Sequence, residues 1–120
     1  MKLREILITT TLVLAMSAPA RAVTLSSPPL IVLGNNELEC YVANVGATNL
    51  PIQIQAVDEA GNVIETSGVV NFPPGTVAAR VRVPATGYCR FIVQGPGSSV
   101  RATACAWNPT EGCTAAAPAQ

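Results

Sequence analysis

The chain has 120 residues, seven basic and seven acidic side chains, and no histidine. Without histidine it lacks the usual imidazole base of enzymes and the commonest metal ligand. The balanced charge provides no basic footprint for nucleic acid or anionic lipid. We therefore expect no cofactor, no bound metal and no nucleic-acid partner.

The first 22 residues have the pattern of a secretory signal peptide. Lys2 and Arg4 make a basic start, residues 6–16 are largely apolar, and Ala20-Arg21-Ala22 is a small-x-small cleavage pattern. The apolar run is too short to cross a bilayer, which needs about 20 residues. We expect a bacterial protein that is periplasmic or secreted, with no membrane span after cleavage.

The expected mature chain, residues 23–120, is predicted to form one domain. It contains four arginines and six acidic residues, hence a net charge of −2, and it has no lysine and no methionine. Lysine nucleophiles and the methionine or histidine ligands of copper carriers are therefore missing. A domain of this size has a thin margin of stability, which disulfides would increase.

Short apolar runs alternate with turn signals along the mature chain, as in a sandwich or barrel. Ser26-Ser27-Pro28-Pro29 is predicted to be a turn or an extended lead-in, because consecutive prolines do not fit a central strand. The predicted strands lie at 30–33, 37–45, 51–57, 63–70, 76–83, 88–94 and 100–107, with a short eighth after Gly112. No segment shows helical periodicity over three turns.

Alternation within the runs predicts which side chains face the core, because the strand period is two. The inward sets are predicted to be Leu38, Cys40 and Val42; Ile52, Ile54 and Ala56; Val77, Ala79, Val81 and Val83; Cys89, Phe91 and Val93; and Val100, Ala102, Ala104 and Ala106. One apolar face per strand predicts an antiparallel β-sandwich of seven or eight strands.

The four cysteines allow three pairings, and their spacing alone does not choose among them. Cys40 and Cys89 lie on core faces of two long strands. Cys105 lies on an outer face, and Cys113 follows it across a predicted hairpin loop. We therefore predict the disulfides Cys40–Cys89 and Cys105–Cys113. A zinc site is the alternative, but the chain has neither Cys-x2-Cys spacing nor histidine.

The pattern resembles an immunoglobulin-like β-sandwich, with Cys40 in the second strand and Cys89 in the sixth. It differs from antibody-type domains because the third strand has no tryptophan and Gly87 stands two residues before Cys89. The stretches at 40–46, 88–91 and 100–102 resemble small exported bacterial proteins of uncharacterised function. The resemblance implies fold and export only.

Two sets of polar residues are candidate catalytic or cation-binding sites, and each also has an interpretation as ordinary structure. Glu37 and Glu39 could act as paired carboxylates or hold calcium. If the second and fifth strands are neighbours, however, these glutamates face Arg80 and Arg82 as cross-strand ion pairs, which we favour. The segment from Asp58 to Asn62 could suggest a cation loop but lacks the ligand spacing of one, so we predict a solvated turn.

A candidate binding face is predicted on the outer side of the third, sixth and seventh strands. Its members are Gln53, Gln55, Arg90, Arg101 and Trp107. Arginine and tryptophan are enriched in interface hot spots, so this face could bind a protein or a glycan. The alternative is an ordinary exposed sheet on which Trp107 covers the hairpin disulfide.

These patterns predict a non-catalytic binding or structural module whose partner is another envelope or extracellular protein or a glycan. A secreted inhibitor is the alternative, acting through an exposed loop such as Pro73-Pro74-Gly75 or Gly95-Pro96-Gly97-Ser98. An enzyme would have to work with carboxylates and arginine alone, and we predict no catalytic residues.

Overall fold

A computed structural model describes residues 22–120, which form eight strands and one short 3-10 turn. The strands are β1 (Ala22–Ser26), β2 (Glu37–Asn44), β3 (Leu50–Asp58), β4 (Val63–Phe72), β5 (Val77–Val83), β6 (Gly87–Gln94), β7 (Val100–Asn108) and β8 (Gly112–Pro118). The 3-10 turn (Gly97–Ser99) precedes β7. The predicted signal peptide lies outside the described residues except for Ala22, so it stays a prediction.

Two four-stranded antiparallel sheets pack face to face. The first sheet has the order β1-β6-β3-β4 and the second the order β5-β2-β7-β8. The predicted all-β sandwich is confirmed. Both predicted disulfides are present: Cys40–Cys89 joins β2 to β6 across the core, and Cys105–Cys113 joins β7 to β8 within the second sheet.

The core lies between the sheets and contains most of the side chains that alternation predicts to face inward. Phe91 on β6 and Ile54 on β3 are paired in register and are fully buried. The other members include Leu38, Cys40, Val42, Ile52, Ala56, Cys89, Val93, Val100, Ala102 and Ala104. The period-two pattern therefore reads the inner faces of β2, β3, β6 and β7 correctly.

The first predicted strand is misplaced. Residues 30–33 are extended but pair with another strand only at the isolated bridge between Leu30 and Gly87. The first strand is instead β1, before the two prolines, and it pairs along its whole length with β6. The prolines before this segment and Gly34 after it, which has a positive φ of 63°, leave too few residues for a continuous ladder.

Alternation also fails on β5, because a β-bulge interrupts it. Cys40 pairs with Val81 and Tyr41 with Ala79, so Arg80 is an extra residue in β5. A bulge of this kind shifts the facing of everything before it by one position. As a result Ala78 packs against the core, and Val77, predicted to face inward, is 71% exposed.

The seventh strand joins the second sheet instead of pairing with the sixth, as it would in the immunoglobulin order. After β6 the chain turns through Gly97–Ser99, where the amide of Ser99 donates to the carbonyl of Pro96. The amide of Val45, just past the end of β2, donates to the carbonyl of Ser99. This bond fixes the start of β7 beside β2, on the sheet opposite β6.

Asn44 ends β2 and organises the crossing to β3. It is buried, and its side-chain Nδ2 donates to the carbonyls of Thr48 and Phe72, both at 2.8 Å, while its Oδ1 accepts from the amide of Gly46. All the hydrogen-bonding capacity of the side-chain amide faces the protein's own backbone. The Asn44-Val45-Gly46 stretch therefore has a structural role in the turn.

Gly87 is predicted to be the glycine least tolerant of a side chain. A Cβ there would overlap the carbonyl oxygen of Val57 and lie 3.1 Å from the Cα of Asp58, both in backbone that β6 pairs with. We expect Gly87→Ala to cost about 2–3 kcal/mol of unfolding free energy by overpacking, measured by urea denaturation.

The matched control is Gly97→Ala, where the new methyl would lie 3.4 Å from the Val23 side chain, an ordinary van der Waals contact. We expect a change within about 0.5 kcal/mol there. Equal losses for the two variants would contradict the close approach at Gly87.

Candidate functional site

The predicted binding face is wrong as a single surface. Gln53, Gln55 and Arg90 lie on strands of the first sheet, whereas Arg101 and Trp107 lie on β7 in the second. The prediction failed because it assumed that the seventh strand pairs with the sixth. On the first sheet, the Nε of Arg90 donates to Oε1 of Gln55 at 2.8 Å, so two of the five members bind each other.

An ion pair lies on the outer face of the second sheet. Arg82 lies opposite Glu39 across the β5–β2 pair, and its Nε and Nη2 approach the same carboxylate oxygen, Oε2, at 2.7 and 2.6 Å. This confirms one of the two predicted cross-strand pairs. Glu37 and Arg80 do not form the other, because the register that pairs Glu39 with Arg82 leaves Glu37 and Arg80 on opposite sides of that pair. The Arg80 guanidinium instead lies 5.8 Å from the centroid of the Phe72 ring.

Glu39 is buried although it lies on an outer face, with only 1% of its surface exposed. The guanidinium of Arg82 stacks 3.7 Å from the centroid of the Trp107 ring. Trp107 lies on β7 opposite Glu37, and Glu39 lies opposite the buried Cys105. Flanking side chains therefore cover the carboxylate, which strand alternation alone does not predict.

The second carboxylate oxygen of Glu39, Oε1, is buried and has no hydrogen-bond partner of regular geometry. Tyr41 lies two residues along the same strand face. Hydrogen bonding to the Glu39 carboxylate and, to a smaller extent, burial raise the pKa of Tyr41 above the ordinary 10.0. The charge of Glu39 also raises this pKa, and that of Arg82 lowers it. The phenol is thus held in its neutral form.

This raised pKa predicts a pH dependence. The native state keeps the Tyr41 proton where the unfolded chain loses it, so the contribution of Tyr41 to stability is complete below pH 10.0 and is lost as the pH rises above it. In a Tyr88→Phe variant, which leaves only Tyr41 to titrate, we expect the phenolate absorbance to have its midpoint above 10.0. Adding Glu39→Gln should lower the midpoint, and a Tyr41 midpoint at or below 10.0 would contradict the contact.

A polar depression of about 390 Å³ lies between two turns at one end of the second sheet. It is lined by Asn35, Asn36, Asn108, Pro109, Thr110 and Glu111. The Nδ2 of Asn108 donates to Oδ1 of Asn36 at 3.1 Å, which ties the two turns together. The predicted turn from Asp58 to Asn62 is likewise closed by its own contacts, since Oδ1 of Asp58 accepts from the amides of Ala60 and Asn62.

The Leu30–Leu33 segment, predicted to be a strand, is not one. It presents an exposed apolar surface that the sequence analysis does not predict. Leu30 and Val32 pack against the core, whereas Ile31 and Leu33 point outward and are 73% and 71% exposed. The available signal in the sequence was the run of four consecutive apolar residues, because an extended segment with one face on the core buries only every second side chain. The prediction of a strand over residues 30–33 did not identify Ile31 and Leu33 as exposed side chains.

Hydrogen bonds to the body of the protein fix this segment from behind. Leu30 and Gly87 exchange two backbone bonds of 2.7 and 3.2 Å. The amide of Val32 donates to the hydroxyl of Thr86 at 2.9 Å. Because the backbone is held at two points and the side chains of Leu30 and Val32 pack against the core, the backbone that carries the outward pair has a fixed position.

The loops that were predicted for an inhibitor carry no comparable surface. Among residues 22–120, none of the exposed large hydrophobic side chains belongs to 73–75 or 95–98. Three of the four edge strands, β1, β4 and β5, also carry features that interrupt or cover the edge. β4 has a register shift opposite Ile54, β5 has the bulge at Arg80, and Gln120 exchanges two backbone bonds with Ser26 of β1.

In comparisons with known proteins, no protein-family model, no curated protein and no solved structure matches the chain. Within the described part of the chain, no helix is long and apolar enough to cross a membrane. Residues 22–120 likewise bring together no group of three or more His, Cys, Asp or Glu side chains that could hold a metal ion.

Proposed function

We propose that the protein is an exported, non-catalytic binding module that contacts a partner protein through the Leu30–Leu33 segment. The observation that carries this proposal is the outward pair Ile31 and Leu33, held on a hydrogen-bonded backbone. Large apolar side chains exposed side by side on an ordered segment are typical of interaction sites, whereas single exposed ones are ordinary.

The free energy gained by burying Ile31 and Leu33 is large enough for them to anchor a protein–protein contact. Full burial of an isoleucine or leucine side chain contributes about 1.5–3 kcal/mol each. A segment already held in its bound shape loses little conformational entropy on association, so more of this energy appears as affinity. No charged residue occurs between Ala22 and Asn36. The partner's complementary surface is therefore apolar, and binding should depend little on salt.

The two disulfides support the proposal that the protein works in an oxidising compartment outside the cytoplasm. Structural disulfides form and persist in oxidising environments, and both pairs here have their sulfur atoms within bonding distance, at 2.06 and 2.03 Å. The signal-peptide pattern agrees with an oxidising compartment. Export and kinship with small exported bacterial sandwich proteins remain proposals that rest on sequence patterns.

A pull-down from the native host tests the binding role. The tagged protein is compared with an Ile31→Ser, Leu33→Ser variant and with a Val69→Ser, Val77→Ser control, which removes two equally exposed apolar side chains elsewhere. We expect one dominant partner for the unaltered protein and the control, and its loss from the first variant. A partner recovered equally with all three proteins would refute the role of the segment.

A secreted inhibitor is the second candidate function, and the same segment favours it over the loops predicted for that role. A rigid segment with large outward side chains at alternate positions can fill a partner's cleft. Loops without large side chains fill such a cleft less well. If the recovered partner is a hydrolase, adding the purified protein should abolish its activity at a one-to-one ratio. If the hydrolase keeps its activity when it is saturated with the purified protein, the inhibitor role is excluded and the role of binding module is retained.

A further inference from the structure

The backbone of the Leu30–Leu33 segment has hydrogen-bonding groups that the protein itself leaves unused. The amides and carbonyls of Leu30 and Val32 bond to the first residue of β6 and to the hydroxyl of the residue before it. The amide and carbonyl of Ile31 have no hydrogen-bond partner among residues 22–120, and the same holds for the amide of Leu33. Bonded and unbonded residues therefore alternate along the segment.

This alternation shows where the free groups point. In an extended chain the N–H and C=O groups of successive residues are directed to opposite sides. Since Leu30 and Val32 direct theirs toward β6 and the turn before it, those of Ile31 are directed away from the sheet. Ile31 is also one of the most exposed large apolar residues. The segment is therefore an open sheet edge that carries exposed apolar side chains.

The protein's own chain already pairs with this edge a few residues earlier. Ser26, the last residue of β1, exchanges two backbone bonds of 3.1 Å with Gln120, on the side away from β6. Ser26 and Leu30 both pair with residues of β6, so they lie along one edge of the first sheet. Gln120 covers that edge at Ser26, whereas at Ile31 no residue within 22–120 pairs with it.

We propose that the partner contacts this edge with an extended segment, which adds to it as a further strand. The backbone of that segment bonds to the amide and carbonyl of Ile31 and to the amide of Leu33, and its alternate side chains pack against the two exposed ones. Residues 22–36 carry no charge, so an uncharged segment with apolar residues at alternate positions fits. This inference rests on the proposed function and specifies how the partner binds.

The test is an NMR titration of the ¹⁵N-labelled protein with the capped peptide Ac-Thr-Val-Thr-Val-Thr-Val-Thr-NH₂. The comparison peptide has the same side chains but a methyl group on every backbone nitrogen, so its backbone donates no hydrogen bond. We expect saturable shifts of the Ile31 and Leu33 amides, and binding of the methylated peptide that is weaker by at least about tenfold. Equal binding of the two peptides, or no saturable shift, would overturn the proposal.

Hydrogen exchange in the unaltered protein gives a second result that needs no substitution. We expect saturation with the unmethylated peptide to slow exchange of the Ile31 amide by at least about tenfold, because this amide gains an acceptor. The Leu30 amide is already bonded at 2.7 Å and serves as the internal control. An unchanged rate at Ile31, or equal slowing at both amides, would contradict strand pairing. A shift of the Ile31 amide on concentrating the protein alone would show that a second copy occupies the edge, which would also overturn the proposal.

Two substitutions at position 31 separate the backbone from the side chain. Ile31→Pro and Ile31→Ala both remove the isoleucine side chain, but only proline also removes the backbone N–H. That N–H has no partner among residues 22–120, and the preceding Leu30 is already extended, so the fold should tolerate proline there. We expect the peptide to bind Ile31→Pro at least about tenfold more weakly than Ile31→Ala. Equal affinities of the two variants would refute a role for the backbone.

The partner recovered from the host distinguishes a failure of this inference from a failure of the proposed function. We expect Ile31→Pro to recover much less of it than Ile31→Ala. If the partner is lost from the Ile31→Ser, Leu33→Ser variant but recovered equally with proline and alanine at position 31, the segment binds through side chains alone and strand pairing is wrong. If every variant recovers the partner equally, the proposed function itself fails.

Discussion

Replacing Cys40 and Cys89 together by alanine is expected to lower the free energy of unfolding by about 4 kcal/mol. The bond closes a loop with a sequence separation of 49 residues, and a cross-link over a loop of that length removes about that much chain entropy from the unfolded state. Both cysteines are fully buried between the sheets, so the lost packing adds to the entropic term. Small domains have only about 5–15 kcal/mol in total.

Urea denaturation, followed by Trp107 fluorescence, measures the loss. The control is the Cys105→Ala, Cys113→Ala variant, whose loop separation is 8 residues and whose expected cost is about 2.5 kcal/mol. The order of the two variants is the discriminating result. If removal of the hairpin bond costs as much as removal of the inter-sheet bond, the inter-sheet bond is not the main covalent constraint on this fold.

Truncation of Phe91 to alanine is expected to cost about 3–5 kcal/mol. Phe91 is one of two phenylalanines, lies in the middle of β6 and is completely buried. Its neighbours in register are Leu25 on β1 and Ile54 on β3, so its removal leaves a cavity in the middle of the first sheet's inner face. Neighbouring β-sheet backbone is hydrogen-bonded on both sides and can collapse only partly into this space.

The control for this substitution is Val69→Ala on β4, where the side chain is 68% exposed. We expect its unfolding free energy to change by no more than about 0.5 kcal/mol. Thermal unfolding by circular dichroism gives both values on the same scale. A loss at Phe91 that is no greater than the loss at Val69 would mean that the core is not packed as described.

The inner faces and the disulfides could be predicted because period-two alternation is a local property of the chain. It places Cys40 and Cys89 on core faces and Cys105 on an outer face, and the structure pairs them accordingly. Alternation does not say which strands are neighbours. The position of β7 depends on its pairing with β2 over eight residue pairs that are far apart in sequence, and the predicted binding face failed on this pairing.

Bulges and coverage of the outer faces account for the other differences. The extra residue Arg80 reverses the facing of Val77, and no residue type in β5 signals it. Glu39 lies on an outer face yet is buried by flanking side chains, because a side chain's exposure depends on its cross-strand neighbours as well as on its own alternation. The candidate sites depend on these non-local contacts.

The most direct test of the proposed binding role is site-specific photo-cross-linking in the native host. A photoreactive residue is placed at position 31, and at position 77 as a control of equal exposure on the second sheet. The account predicts one dominant cross-linked protein from position 31 and none from position 77. No cross-link from position 31, or the same set of proteins from both positions, would contradict the assignment of the Leu30–Leu33 segment as the contact surface.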